Sequence, residues 1–371
     1  MLGSNYTVFK ERFPAFSSFE PREIKEKINS ILSAQSSEAN IHAAQLLDNV
    51  HRQFSEYHVL LNTSANRLNE EQKVLKKALK KGKSLLIKEF GKTRSHPTLR
   101  ELFQSDARHW ISLLKPIWLS NPASLANCFP MEQNCFDLVI FDEASQIPIQ
   151  HALGAIQRSS RIVVAGDEHQ MGPSTYFQAG SNETSDLLHQ ANYYFPKVPL
   201  LHHYRSVHPE LIAFSNQHFY EGKLTAYPSA QALERPIQHH FIENAVFKDR
   251  VNELEAKAIA TFISSKLDQK KSLGIVAFSE EQLACIWKQL DASTQDKLFN
   301  HQEENGGFFK ALENVQGDEC DALIIGFGYA PNENGDFHLR FGPMNTANGR
   351  KRLNVLLTRA RESNDFFCSV R

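Results

Sequence analysis

Apolar positions in the first third of the chain recur at helical spacing. Ile24, Ile28, Ile31 and Leu32 fall on one helix face. Leu47, Val50, Phe54, Tyr57 and Leu61 step by 3, 4, 3 and 4, and Leu68, Leu75, Leu79, Leu86 and Phe90 by 7, 4, 7 and 4. Both are the period of an amphipathic helix. Pro97 and Pro116 interrupt it. Residues 17–115 therefore read as long helices in an antiparallel or stalk-like arrangement. After Pro116 the pattern changes. Short β-branched or apolar runs end at polar or glycine residues, at 137–141, 161–165, 273–278, 322–327 and 365–370. Helical stretches such as 209–219, 252–267 and 281–290 lie between them. Strands alternating with helices predict an α/β protein with parallel sheets. Pro196 and Pro199 mark a joint between two such units.

Composition narrows the class only a little. At 371 residues the chain has room for two or three domains. Lys and Arg total 41 against 42 Asp and Glu, so the net charge of −1 names no partner. The distribution is lopsided, however: residues 64–100 hold 11 Lys or Arg and 3 acids. A solvated helix face and a contact with a phosphate backbone both account for such a run. Cys128, Cys135, Cys285, Cys320 and Cys368 are too scattered for a zinc knuckle or a redox pair. They fit reduced thiols, and with no apolar signal core or membrane-length run the expectation is a cytoplasmic protein. His202 with His203, and His239 with His240, lack accompanying ligands and read as core or edge histidines.

Two strand ends carry the chemistry. The run FDLVIFDEASQ (136–146) delivers Asp142 and Glu143 at the end of an apolar strand, where α/β sheets place ligands. Adjacent carboxylates there repel unless a cation is near. Mg²⁺ on a nucleotide supplies one, with Asp142 holding the hydrated metal and Glu143 polarising the attacking water. An acidic helix N-cap explains the same pair. The next strand runs into AGDEHQMGPS (165–174). Gly166 allows close backbone approach there, and the Gln170 amide can touch both a γ-phosphate and a water.

With these in place the sequence resembles the superfamily 1 helicases, in the subgroup B branch that includes Upf-type RNA helicases and many bacterial DNA helicases. DEASQ looks like motif II and GDEHQMGP like motif III. HYRSVHP (203–209), with FSN (214–216) and FYEGKL (219–224), looks like motif IV and the helix after it. ENVQGDECD (313–321) looks like motif V and RLNVLLTRAR (352–361) like motif VI. KPIWLSNPAS (115–124) resembles the segment before motif II that touches nucleic acid. The likeness covers about residues 113–371 and implies a nucleotide held between two RecA-like domains. Arg205 and Arg359 match the two arginines that reach the γ-phosphate. Glu319 matches the motif V acceptor of a ribose hydrogen bond, with Gly317 permitting backbone approach and Gln316 assigned to the same nucleotide side. Ser120, Pro173 and Asn314 are candidates for nucleic-acid contact, or equally for turn chemistry.

The phosphate-binding GxxxxGK[ST] of this class is not in the sequence. Gly82-Lys83-Ser84 would need glycine at position 77, which is Lys77, and Gly91-Lys92-Thr93 at position 86, which is Leu86. Both read as lysine-rich helix surface. The expected architecture is therefore tandem RecA-like parallel sheets, the first incomplete, behind a helical insertion or stalk. Residues 1–112 form that insertion, 113–198 the partial first domain and 199–371 the second. The chain would begin inside the first domain, with the P-loop portion as a missing partner. The implied parent function is ATP- and Mg²⁺-dependent, 5′→3′ translocation on single-stranded nucleic acid, with DNA preferred over RNA. The alternative is an inactive nucleic-acid-binding or scaffold module.

Overall fold

The helix Pro21–Asn62 opens the computed structural model, which describes residues 21–132, 135–173, 186–227, 235–269, 271–338, 341–345 and 348–370. The first 20 residues of the expected helical insertion, Ser174 of the AGDEHQMGPS segment and Arg371 lie outside them. The described residues fall into two compact units, 21–142 with 148–165, and 143–147 with 166–370. The joint expected at Pro196 and Pro199 falls inside the second unit, because the segment after Gly166 packs with later chain: Met171 lies against the core of Leu312, Leu323 and Val355.

In the first unit the helix Glu70–Phe90 starts at a capping box. Asn69 Oδ1 accepts from the Gln72 amide at 2.8 Å, and Gln72 Oε1 from the Asn69 amide at 3.1 Å. Leu68 therefore lies before the helix, although it shares the apolar period. Leu79, Gly82 and Leu86 turn inward onto the helix Arg108–Leu114. Trp110 Nε1 donates to the Leu79 carbonyl at 2.8 Å, and a Cβ on Gly82 would sit 2.3 Å from the Asp106 carbonyl oxygen. Gly82 is thus a buried packing glycine, not helix surface as expected. Ile31, Leu47 and Phe54 of Pro21–Asn62 stay exposed. Its C-terminal part meets a core, where the Phe54 and Tyr57 rings lie edge-to-face with Trp110, centroids 6.0 and 5.4 Å apart. Strands β1 (Val139–Phe141) and β2 (Ile162–Val164) pair in parallel as a two-stranded sheet, with the helix Ile149–Gln157 between them.

The strands of the second unit begin with β3 (His202–His203) and β4 (Thr225–Ala226), also parallel. It then builds a five-stranded sheet from β5 (Ile237–Phe241), β6 (Leu273–Ala277), β7 (Gly307–Ala311), β8 (Cys320–Gly326) and β9 (Ala360–Cys368). Its order is β5-β9-β8-β6-β7, and every pairing is parallel. Alternate residues feed two cores. Ile275 and Ile324 pack with Ile259, Ile263 and Ile286 on one face; Val276, Leu323 and Ile325 pack with Leu312, Val355 and Leu356 on the other. Burial on both faces explains the near-continuous apolar runs. The α/β class with parallel sheets is as the sequence predicts. β9 starts at Ala360 rather than 365, and β5 and β7 are additional strands. His240 lies on edge strand β5, stacked on Phe367 and 2.9 Å from Asp365 Oδ1. All five cysteines are free thiols. Among the described residues no helix is long and apolar enough to cross a membrane.

Candidate functional site

The pairing of β8 with β9 brings two polar segments together. Cys320 and Ala360 are register partners, and the Cys320 amide donates to the Arg359 carbonyl at 3.1 Å. Glu319, Arg359 and Arg361 therefore flank one strand end. The Val207 amide donates to the Arg361 carbonyl at 2.7 Å and pins the loop after β3, which presents Arg205. Arg205 Nε lies 3.2 Å from Glu319 Oε2, and its Nη1 donates to the Thr358 carbonyl at 3.3 Å. Arg361 donates to Glu319 Oε1 and lies 3.6 Å from Asp321 Oδ1. The hydrogen bond from Arg361 is the main cause holding the Glu319 carboxyl below its usual range, and Arg205 and Arg359 add to it.

Arg359 is 2% exposed. Its Nε donates to the Val355 carbonyl at 2.8 Å, Nη1 to the Asp318 carbonyl at 3.0 Å and Nη2 to Thr358 Oγ1 at 3.1 Å. Burial, and then the Arg205 charge, push its pKa down to about 10; Glu143, Asp318 and Tyr220 oppose that shift. It remains a cation at neutral pH.

A second network joins the turn after Gly166 to the helices Glu210–Phe219 and Gly349–Leu357. Asp167 Oδ1 accepts from the His169 amide at 2.9 Å; Oδ2 accepts from Gln170 Nε2 at 3.1 Å and from the Tyr220 hydroxyl at 2.6 Å. Asn354 Nδ2 donates to both Tyr220 Oη and the His169 carbonyl at 3.0 Å. Burial first, and then Asp167, raise the Tyr220 pKa, so the phenol stays protonated and donates. Gly166 serves close approach: a Cβ there would lie 3.1 Å from the Ala144 amide nitrogen.

Gln170, Arg205 and Glu319 line one cleft of about 570 Å³, together with Asp167, Tyr220 and Arg361. Arg359 adjoins it through Thr358. Glu143 is half-buried, with a left-handed backbone (φ 51°, ψ 41°). That conformation costs a non-glycine residue about 1–3 kcal/mol and is typical of functional turns. Gly317 also has positive φ, 87°, which favours glycine there. Gln316 Nε2 is buried without a hydrogen-bond partner, a donor that a bound group could satisfy. Asn314 Nδ2 donates to Glu280 Oε1 at 3.2 Å, and Pro173 is half-buried. Asp142 lies in the other unit, exposed just past β1. Ser120 is in that unit too, its hydroxyl donating to the Asn121 carbonyl at 3.0 Å. Asp167, Tyr220, Asn354, Thr358 and Arg361 all lie inside the quoted motifs, yet the sequence reading gives none of them a role; Asp167 stands beside Gly166 and Thr358 beside Arg359.

Cationic guanidiniums around one cleft suit a polyphosphate. Among the described residues no group of three or more His, Cys, Asp or Glu could hold a metal ion. A Mg²⁺ bound by one carboxylate, with phosphate oxygens and waters as its other ligands, needs no such group.

A chain with this parallel sheet and arginine-rich strand end belongs to a recognised class. Residues 184–369 match the AAA domain family, and the chain belongs to that family. It is 30% identical over 301 residues to the "Uncharacterized ATP-dependent helicase MG140" of Mycoplasma genitalium, and 28% identical over 301 residues to that protein's homolog in Mycoplasma pneumoniae. Each alignment covers 73% of this chain and 27% of the relative, so the chain spans about a quarter of their length. A "Probable helicase with zinc finger domain" from Mus musculus is 28% identical over 145 residues, 36% of this chain and 7% of that protein.

Proposed function

We propose that this chain is part of an ATP-dependent nucleic-acid helicase or translocase and contributes its arginine-bearing phosphate surface. The observation that carries this is the convergence of Gln170, Arg205 and Arg359 around Asp167, Glu319 and Thr358 within one unit. Membership of the AAA domain family and likeness to proteins named ATP-dependent helicases support it. Bound Mg-ATP would supply the γ-phosphoryl group and the cation that shields it. Arg205 and Arg359 hold positive charge where phosphoryl oxygens gain negative charge. Gln170, its amide oriented by Asp167, positions the attacking water, and the Glu143 carboxylate takes that water's proton. Asp142 would hold the metal. Gln316 and Gly317 lie on the nucleotide side, and Ser120, Pro173 and Asn314 on the strand side. Glu319, with both carboxylate oxygens on arginines, orients Arg205 and Arg361 before it meets any ribose.

The motif resemblance favours 5′→3′ movement and DNA as the preferred track. The residues 113–198 and 199–371 would act as the partial first and the second RecA-like domain, with 1–112 as the insertion. Because the sequence has no GxxxxGK[ST], the chain alone should hydrolyse ATP negligibly. The test is phosphate release by the chain and by the longest natural protein that carries it, with and without single-stranded DNA or RNA. The longer protein should show strand-stimulated turnover, cut by about 10³-fold or more in Arg359→Ala. Undiminished turnover in Arg359→Ala, or none in the longer wild-type protein, would refute the assignment.

A further inference from the structure

The proposed reaction leaves one strongly charged surface unused. Between Val74 and Lys88 the helix Glu70–Phe90 carries six lysines and no acidic residue. Lys77, Lys80, Lys81 and Lys88 are exposed. At 3.6 residues per turn they fall within an arc of about 100°, opposite the buried Leu79, Gly82 and Leu86. The acids of the neighbouring sequence are committed elsewhere. Glu70 pairs with Lys73 at 2.7 Å, and the buried Glu89 with Lys92 at 2.7 Å. Glu71 sits in the first turn, facing the helix dipole. Among the described residues no acidic side chain forms an ion pair with Lys77, Lys80, Lys81 or Lys88.

Such a helix works against itself. Lys77 and Lys81 are four residues apart, as are Lys76 and Lys80, and like charges at that spacing repel. A face that served solubility alone would mix signs, as Pro21–Asn62 does with its Arg22–Glu26 pair. Packing holds the lysine face in one direction despite the repulsion. The Trp110 bond to the Leu79 carbonyl and the contact of Gly82 with Asp106 stop the helix from rolling. Lys77 to Lys88 spans about 16 Å at 1.5 Å per residue. No exposed aromatic ring interrupts that row, so it offers point charges to phosphates and no stacking platform for bases.

We propose that this face docks the phosphate backbone of a single-stranded nucleic acid, independently of sequence. The choice of a strand as the polyanion rests on the function proposed above; the cationic face does not. The experiment is fluorescence anisotropy of labelled oligo(dT), oligo(rU) and heparin with the 371-residue chain, from 50 to 200 mM salt. The variants are Lys77→Glu/Lys81→Glu/Lys88→Glu and the milder triple change to Gln, each checked for unchanged helicity by circular dichroism. Each phosphate contact on a single strand contributes about 0.7 to the slope of log affinity against log salt. The Gln triple should flatten that slope by about 2 and weaken binding at least tenfold at low salt. Equal loss with both oligonucleotides marks a backbone contact. An unchanged slope and affinity in both triples overturns the proposal, as does wild-type binding to heparin but to neither oligonucleotide, or to none of the three. Strand-stimulated phosphate release by the longer protein is read separately. Its absence in wild type sinks the helicase assignment, while the anisotropy still decides the face.

Discussion

Glu255 is a fully buried carboxyl in the helix Glu253–Lys266, remote in sequence from every motif. Its Oε1 accepts from the Gly328 amide at 2.7 Å and from Gln282 Nε2 at 3.3 Å, while Oε2 has no hydrogen-bond partner. Burial pushes its pKa up from 4.5 to about 8, against the two hydrogen bonds. The folded protein therefore holds a proton there that the unfolded chain releases near pH 4.5. This contribution to stability is complete below that pH, falls as pH rises toward about 8 and is lost above it. At 1.36 kcal/mol per pKa unit, the change is on the order of a few kcal/mol. Glu255→Gln keeps the neutral shape and removes the titration. Urea midpoints at pH 5, 6.5 and 8 should fall more steeply in wild type than in the variant; parallel curves would mean that Glu255 titrates normally.

At the scale of elements, Gly82 poses a contest of magnitudes. Alanine favours a helix interior by about 1 kcal/mol over glycine. The new Cβ, however, would lie 2.3 Å from the Asp106 carbonyl oxygen, a backbone atom that cannot swing aside. Overpacking of this kind costs about 1–3 kcal/mol or more, so Gly82→Ala should lower the melting temperature by several degrees. A rise would show that the helix separates from Arg108–Leu114 at little cost. The sequence reveals the lysines around Gly82 but not the Asp106 backbone against it. The same limit runs through the fold. β6 and β8 are legible because burial on both faces leaves unbroken apolar runs. β5 is an edge strand reading IQHHF, and β7 reads GFFKA, so neither has that signature. Arg205 and Arg359 are visible through their motifs. The Asp167–Tyr220 hydrogen bond joins residues 53 apart, and no local pattern encodes such a pairing.

Across the whole molecule, the two units differ in how much sheet they own. The second has a five-stranded sheet, with Ile275, Val276, Ile324 and Ile325 all at 0% exposure. Each such side chain contributes about 1.5–3 kcal/mol by leaving water. The first has two strands of three residues, and its sheet leaves Ile140 63% and Val163 48% exposed. A sheet of two short strands is marginal by itself. Its stability must come instead from the helices around Trp110 and from the ring cluster of Phe103, Trp118, Phe129 and Phe136. Opening free energies should therefore differ between the sheets by a few kcal/mol, with no shared global transition. Hydrogen exchange read by mass spectrometry tests this directly. Peptides covering 273–277 and 322–326 should exchange slowest, and those covering 139–141 and 162–164 faster by roughly 10²-fold or more. Equal protection in both sheets would mean that the chain unfolds as one cooperative body, with the exposed face of β1 and β2 stabilised by something other than its own strands.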